Sequence, residues 1–356
     1  MTTASRDIVV ADPCAQPNPP LVAAALRAGA LGVLDLNELD PRAAAADLAE
    51  VARRTPVPFA VRLAWTGDRD GDGDNAAARR SRPPLVLPDQ VDTVVVTGGA
   101  TGFAEFDPAA PEADGGMATG GLAARWPGRR LLVEVTSRDE ADVALAAGAH
   151  GLIAKGCESG GRIGDTESFV LAQQIAELGV PFWLQGGFGL RTAAAAFAAG
   201  ATGVVLDAQL ALVRESSLTT GPTGDADTRT AVAAMDGSET RVVGDHRFYV
   251  RPDLPAAKLA ATTPAATVAA RLGPDLHHDL LPLGQDAAVA AGLAGRHVTV
   301  GGVVQAVRAA VAEQLRAAAE HPPLAPGAGV STTNGTRYPV VQGPMTRVSD
   351  RAEMAA

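Results

Sequence analysis

One phrase recurs three times: LRAGALGVL at 26–34, LAAGAHGLI at 145–153 and FAAGATGVV at 197–205. Each is an Ala-rich helix end, a glycine, a small residue and then an aliphatic run. Gly29, Gly148 and Gly200 suit the left-handed position that ends a helix. Gly32, Gly151 and Gly203 allow close helix–strand packing, and the aliphatic runs read as strands buried on both faces. The phrase is therefore the αβ half of a βα unit, and its repetition restricts the fold to parallel α/β architectures.

Further strands fall into step at 8–12, 58–63, 91–98, 131–136 and 181–187. Helical patterns lie between them, over 41–54, from a capping box at Ser137 and Glu140, and over 166–179. Eight short strands precede residue 210, which predicts a (β/α)₈ TIM barrel over 1–215 with its site at the C-terminal strand ends. An open doubly wound sheet is the alternative. The connections 66–90 and 98–128 read as long loops. Residues 216–320 read as a mainly helical extension, a candidate lid, and 321–336 as a linker.

The composition excludes several classes. Hydrophobic residues at 47% and charged residues at 20% leave a packed core and exclude wholesale disorder. A net charge of -10 argues against a nucleic-acid partner. No apolar run is long enough for a membrane span, and the start, MTTASRDIVVADPC, is not a signal peptide. Two cysteines, Cys14 and Cys157, suit a reducing compartment, so a cytoplasmic location is expected.

The chemistry concentrates in two glycine-rich stretches. LIAKGCESGGRIG (152–164) ends a strand at Lys155 and turns through Gly156, Gly160, Gly161 and Gly164. WLQGGFGLRT (183–192) runs from a strand through Gln185, Gly186, Gly187 and Gly189 toward a helix. Backbone amides freed of Cβ atoms, beside a helix N-terminus, can cradle an anion. GVVLDAQL (203–210) places Asp207 and Ala208 one unit later, where barrels commonly complete a phosphate site. Tight turns alone are the plainer reading of the glycines.

GAHGLIAKGCESGGRIG and PFWLQGGFG…AAGATGVVLDAQL resemble the motifs of the nitronate monooxygenase (2-nitropropane dioxygenase) family, which includes flavin-dependent enoyl reductases and related domains of polyketide and polyunsaturated fatty acid synthases. PNPPLVAAALRAGALGVL is similar to the family's first helix and second strand. The resemblance implies a flavin mononucleotide (FMN) barrel. Gly160 and Gly161 would lie near the flavin. Gly186, Gly187 and Gly189 would take the phosphate, with Gln185, Asp207 and Ala208 among the cofactor contacts. The implied activity is enoyl-reductase-like, with NAD(P)H as donor and an acyl thioester as substrate. Nitronate oxidation is the sibling reading. YPVVQGPMTRVSD, near the end, resembles the family's first strand. Residues 337–356 then read as the start of a second barrel and the chain as a piece of a multidomain synthase, with neighbouring domains as partners and the oligomeric state open.

Three positions depart from the family pattern. Arg162 stands where many members carry a histidine, Asp207-Ala208 where they carry a Gly-Thr phosphate contact, and Asp12-Pro13-Cys14 where they carry a Gln/Ala-Pro-Met turn. A guanidinium cannot act as a base. A catalytically degenerate barrel that docks neighbouring domains is therefore a third reading. The catalytic residues stay unassigned, with Arg162, Lys155 and Glu158 as candidates. For Lys155, a salt bridge to Glu134 weighs equally, and Glu158 reads equally as a loop anchor.

Other motifs are decoys. VVVTGGATGFAE (94–105) lacks the final glycine of a dinucleotide turn, where Ala104 stands. Asp68, Asp70, Asp72 and Gly73 begin a calcium loop whose twelfth position is Arg79. Cys157 lacks a local base, and His277-His278 lack spaced metal-ligand partners, so no metal site is expected.

Overall fold

In a computed structural model, the structure describes residues 7–37, 40–64, 86–98, 122–220, 226–251 and 255–340. The calcium-loop decoy, the dinucleotide-turn decoy from residue 99 onward and all of the second-barrel segment beyond Val340 lie outside them.

Eight parallel strands close into a barrel: β1 (Ile8–Val10), β2 (Leu31–Asp35), β3 (Phe59–Ala64), β4 (Val91–Thr97), β5 (Arg130–Val135), β6 (Gly151–Lys155), β8 (Phe182–Gln185) and β9 (Gly203–Leu206). The strands expected from sequence are the strands observed. A two-residue strand, β7 (Gly161–Arg162), branches from the turn after β6.

The recurring phrase ends three helices in the same way. In the Pro19–Arg27 helix, the Gly29 amide donates to Leu26 O and the Ala30 amide to Ala25 O, both at 3.0 Å. The same pair of bonds recurs at Gly148/Ala149 and Gly200/Ala201. All three glycines have positive φ, between +78° and +93°. This is the Schellman termination, and it aims each following strand back at the barrel. The second glycines differ from expectation. Only Gly32 faces a helix, where a Cβ would lie 2.8 Å from Val22 O. At Gly151 the obstacle is Pro181 O at 2.9 Å, and at Gly203 it is Asp7 O at 1.9 Å, so these two admit a neighbouring strand entry.

The helix at Arg138–Ala146 starts as half a capping box. Ser137 accepts from the Glu140 amide, but the Glu140 carboxylate turns away to the Thr136 amide and hydroxyl.

Alternation along the strands sorts the interior. Val9, Leu31, Val33, Ala60, Val95, Leu132, Ile153, Trp183 and Val205 form one apolar cluster inside the barrel, while the alternate residues pack under the helices. The side chains two residues further on, Asp35, Arg62, Thr97, Glu134, Lys155, Gln185 and Asp207, therefore point inward at the C-terminal mouth.

The extension is less helical than expected. Helices at Ser217–Thr220 and Ala226–Ala233 lead into a hairpin of β10 (Thr240–Val243) and β11 (His246–Tyr249). β11 pairs antiparallel with β7, so the hairpin roofs the turn after β6. A second apolar cluster, with Leu218, Met235, Tyr249, Leu281 and Leu283 around Ala208, fixes this roof to the barrel. The Val300–Glu320 helix returns to the barrel wall, burying Val303, Val304 and Val307. Its Arg308 grips Asp7 through two bonds of 3.0 and 2.7 Å. Within 321–336, Gly329–Asn334 is a short helix. No single helix among the described residues is long and apolar enough to cross a membrane.

Gly203→Ala is expected to destabilise by about 3 kcal/mol or more, because a backbone carbonyl stands in the way. Gly295→Ala, where a methyl meets nothing within 4 Å, is expected to stabilise by about 0.5–1 kcal/mol. Urea midpoints of both variants check the pair.

Candidate active site at the barrel mouth

The mouth holds a ring of buried polar side chains, each at the end of a different strand. Arg62 lies between two carboxylates, with Nε 2.6 Å from Asp35 Oδ2 and Nη1 3.2 Å from Glu134 Oε1. All three residues are buried. Burial opposes the Arg62 charge, but the two carboxylates raise its pKa and keep the guanidinium ionised. Burial would also raise the Glu134 carboxyl, yet Arg62 and Lys155 hold it below its ordinary value. Sequence reasoning did not select Asp35 or Arg62, though strand parity would have pointed to them.

Lys155 is buried at the tip of β6. The salt bridge to Glu134 does not form, because Arg62 takes that carboxylate. Among the described residues Lys155 enters no hydrogen bond or ion pair. Burial pushes its pKa down, and the charges of Glu134 and Asp207 only partly offset that.

Arg162 is an ion-pair partner and not a proton carrier. Its guanidinium takes both oxygens of Glu140, at 2.8 and 3.1 Å. Burial would raise Glu140, but the hydrogen bonds and charge of Arg162 hold it low. Directly across the β7–β11 pairing from Arg162 stands His246. Burial lowers its pKa, and Asp245, 2.7 Å from Nδ1, opposes that only in part. His246 lies 84 residues downstream, in the stretch read as a mainly helical extension, and sequence reasoning passed over it.

Glu158 is an anchor. Its carboxylate accepts from the Ser168 amide at 3.1 Å and the Ser168 hydroxyl at 2.5 Å, at the start of the Ser168–Ala176 helix. Asp12 likewise organises its own turn, accepting from Cys14, Gln16, Asn18 and Ser217. Both cysteines are free thiols with pKa values raised chiefly by burial, and no group that could hold a metal occurs among the described residues. His278 pairs locally with Asp275 at 2.9 Å.

The glycine turns do converge as expected. Gly186 and Gly187 have φ of +107° and +74°. A Cβ on Gly186 would lie 2.6 Å from Ser159 Oγ and 3.4 Å from Glu158 Oε2, so the turns after β6 and β8 form one cradle. The post-barrel segment closes it. A Cβ on Gly160 would lie 1.9 Å from Pro282 O, and the Gln285 amide donates to Glu158 O.

The FMN phosphate does not fit the residues in this cradle. Of the three glycine amides expected to take it, two already donate to side chains of this chain, Gly187 to Asp286 at 3.4 Å and Gly189 to Thr192 at 3.0 Å, and the Asp207 amide donates to Gln209 at 2.8 Å. The unsatisfied buried atoms nearby are mainly acceptors, namely Gln185 Oε1, Asp207 Oδ1 and Asp286 Oδ1, beside the Ser159 hydroxyl. A phosphate is itself an acceptor and carries negative charge. It would sit beside Glu158 and Asp207, whose charges, after burial, already push the Asp286 pKa well up. Asp207 is turned toward Gln185, whose Nε2 donates to it at 2.6 Å.

No protein-family model and no curated relative matches the chain. Solved structures do. FabK from Thermotoga maritima is 20% identical, over 89% of this chain and 96% of that one, with a TM-score of 0.65. A nitroalkane oxidase from Streptomyces ansochromogenes is 23% identical, over 87% and 97%, with a TM-score of 0.63. The enoyl reductase domain of MlnA, from the macrolactin biosynthesis cluster of Bacillus amyloliquefaciens, is 9% identical over 87% and 95%, with a TM-score of 0.55. The chain shares the fold of these proteins. Two of them carry the activities that the sequence resemblance names.

Asp286 yields a pH prediction. A carboxyl whose folded pKa is raised adds stability at low pH, and that stability is lost as pH rises through the folded value. The Asp286 share of stability is therefore expected to climb as pH falls from that raised folded value toward the ordinary carboxyl value of 3.8. Asp286→Asn should flatten the climb, as read by urea midpoints across that range.

Proposed function

We propose that this chain is a flavin-free barrel of the nitronate monooxygenase and enoyl reductase type, and that it serves as a docking unit beside other domains of a multidomain polyketide or fatty acid synthase. One observation carries the reading: Asp286, delivered by the post-barrel segment, takes the Gly187 amide that an FMN phosphate would require. The three departures seen in sequence agree with it. Arg162 is committed to Glu140, Asp207 to Gln185, and Asp12 to its own turn. The synthase setting rests on the resemblance of YPVVQGPMTRVSD to the start of a second barrel, and the cytoplasmic location on two free thiols.

A second reading keeps the chemistry, as an FMN-dependent enoyl reductase fed by NAD(P)H. It is favoured by the positive φ angles retained at Gly186 and Gly187. Nitronate oxidation is the weaker form of it, because Arg162 cannot deprotonate a substrate.

The purified chain is expected to show no flavin absorbance, to leave FMN fluorescence unchanged on titration, and to oxidise no NAD(P)H with crotonyl-type thioesters or nitroalkanes. Removing two carboxylates, in the Glu158→Gln/Asp286→Asn double variant, is expected to strengthen any weak FMN binding about tenfold or more. One equivalent of FMN co-purifying with the unaltered chain would end the flavin-free reading.

A further inference from the structure

The sequence contains 30 lysines and arginines, and only two of them, Lys155 and Lys258, are lysines. Arginine is used at every other basic position. Arginine stays charged, whereas a buried lysine amine can become neutral and nucleophilic. One lysine, Lys258, is exposed. The other closes β6 at the barrel mouth, where its parity with Ile153 aims it inward.

We propose that Lys155 is a carbonyl-capturing amine, condensing through Nζ with a neutral aldehyde or ketone that enters the barrel mouth. This goes beyond the flavin-free docking reading and does not depend on it.

The surroundings fit this role. A Cβ on Gly161 would lie 3.7 Å from Lys155 Nζ, so the side-chain-free turn leaves approach space beside the amine. Lys155 has no hydrogen-bond partner among the described residues and keeps a residual exposure of 7%. Five charged or titratable groups bear on it: Glu134 from β5, Asp207 past β9, Arg62 from β3, Arg162 from β7, and His246 from β11. Glu134 is held by Arg62, whereas Asp207 has an oxygen, Oδ1, with no partner. Asp207 is therefore the group placed to relay protons. Burial favours the neutral amine, which is the reactive form. With Lys155 neutral, the carboxylates Asp35, Glu134 and Asp207 outnumber the ring's remaining cation, Arg62, so a neutral carbonyl compound is preferred over an anionic one.

The step balances without a redox partner. The Nζ lone pair bonds to the carbonyl carbon as the C=O π pair moves onto oxygen. A proton relayed by Asp207 from nitrogen to that oxygen gives the carbinolamine. The C–O bond then breaks, the second amine proton follows the oxygen, and water leaves as the nitrogen lone pair closes the C=N bond. Nothing is oxidised or reduced.

The test uses the two lysines as each other's control. The whole chain is incubated with propionaldehyde and cyanoborohydride, which reduces and locks any imine, and labelling is mapped by peptide mass. At pH 7, Lys155 is expected to label about tenfold faster than Lys258. That ratio should fall by pH 10, where an exposed amine also loses its proton, and glyoxylate should label Lys155 more slowly than propionaldehyde. Equal or faster labelling of Lys258 at pH 7 would overturn the proposal. So would a ratio that does not change with pH. Independently, pentane-2,4-dione should give an enaminone absorbance that Lys155→Arg abolishes, with circular dichroism confirming the fold. Persistence of the band in that variant would also overturn it. Bound FMN in the same preparation would contradict the docking reading without altering the Lys155 ratio.

Discussion

The hydrogen bond from the Gly187 amide to Asp286 ties the post-barrel segment to the turn after β8 at the mouth of the barrel. Asp286 belongs to the post-barrel segment, and Gly187 to the turn after β8. The same aspartate accepts from Gln209 Nε2 at 3.0 Å, which extends the tie to the turn after β9. An anion-binding turn has a fixed number of amides. Once a side-chain carboxylate takes one and other carboxylates lie near it, a dianionic phosphate meets repulsion there.

The barrel beneath is indifferent to this change. Its strands, its Schellman turns and its apolar interior depend on residues that point away from the cradle. Loss of a ligand at the strand tips is therefore compatible with an unaltered fold, and fold likeness alone does not carry function across. The buried ring at the mouth is harder to explain as inert filling. Arg62 between Asp35 and Glu134, with Lys155 beside them, keeps charges out of water at a cost that structural barrels avoid by using apolar side chains.

The fold was legible in sequence because its signals are local. Gly29, Gly148 and Gly200 mark helix ends within a few residues, and each aliphatic run marks a strand. Strand parity, also local, would have identified Asp35 and Arg62 as inward-facing. What was not legible depends on distant pairings. No neighbour of Asp286 in sequence announces that it will meet Gly187, 99 residues earlier. His246 and Arg162 become neighbours only because a polar hairpin adds itself to a two-residue strand. Glu140, read as one arm of a capping box, is drawn off by Thr136 and Arg162. The glycine turns after β6 and β8 were visible in sequence, but the carboxylates around them were foreshadowed only by Asp207.

The central claim is that carboxylates of this chain, and not a nucleotide phosphate, occupy the amides after β8. A crystal structure grown in saturating FMN tests it most directly. The account predicts the Gly187 amide on the Asp286 carboxylate, with Glu158 still on Ser168 and no phosphate density in the cradle. Phosphate seated on the Gly186 and Gly187 amides, with Asp286 swung away, would contradict it.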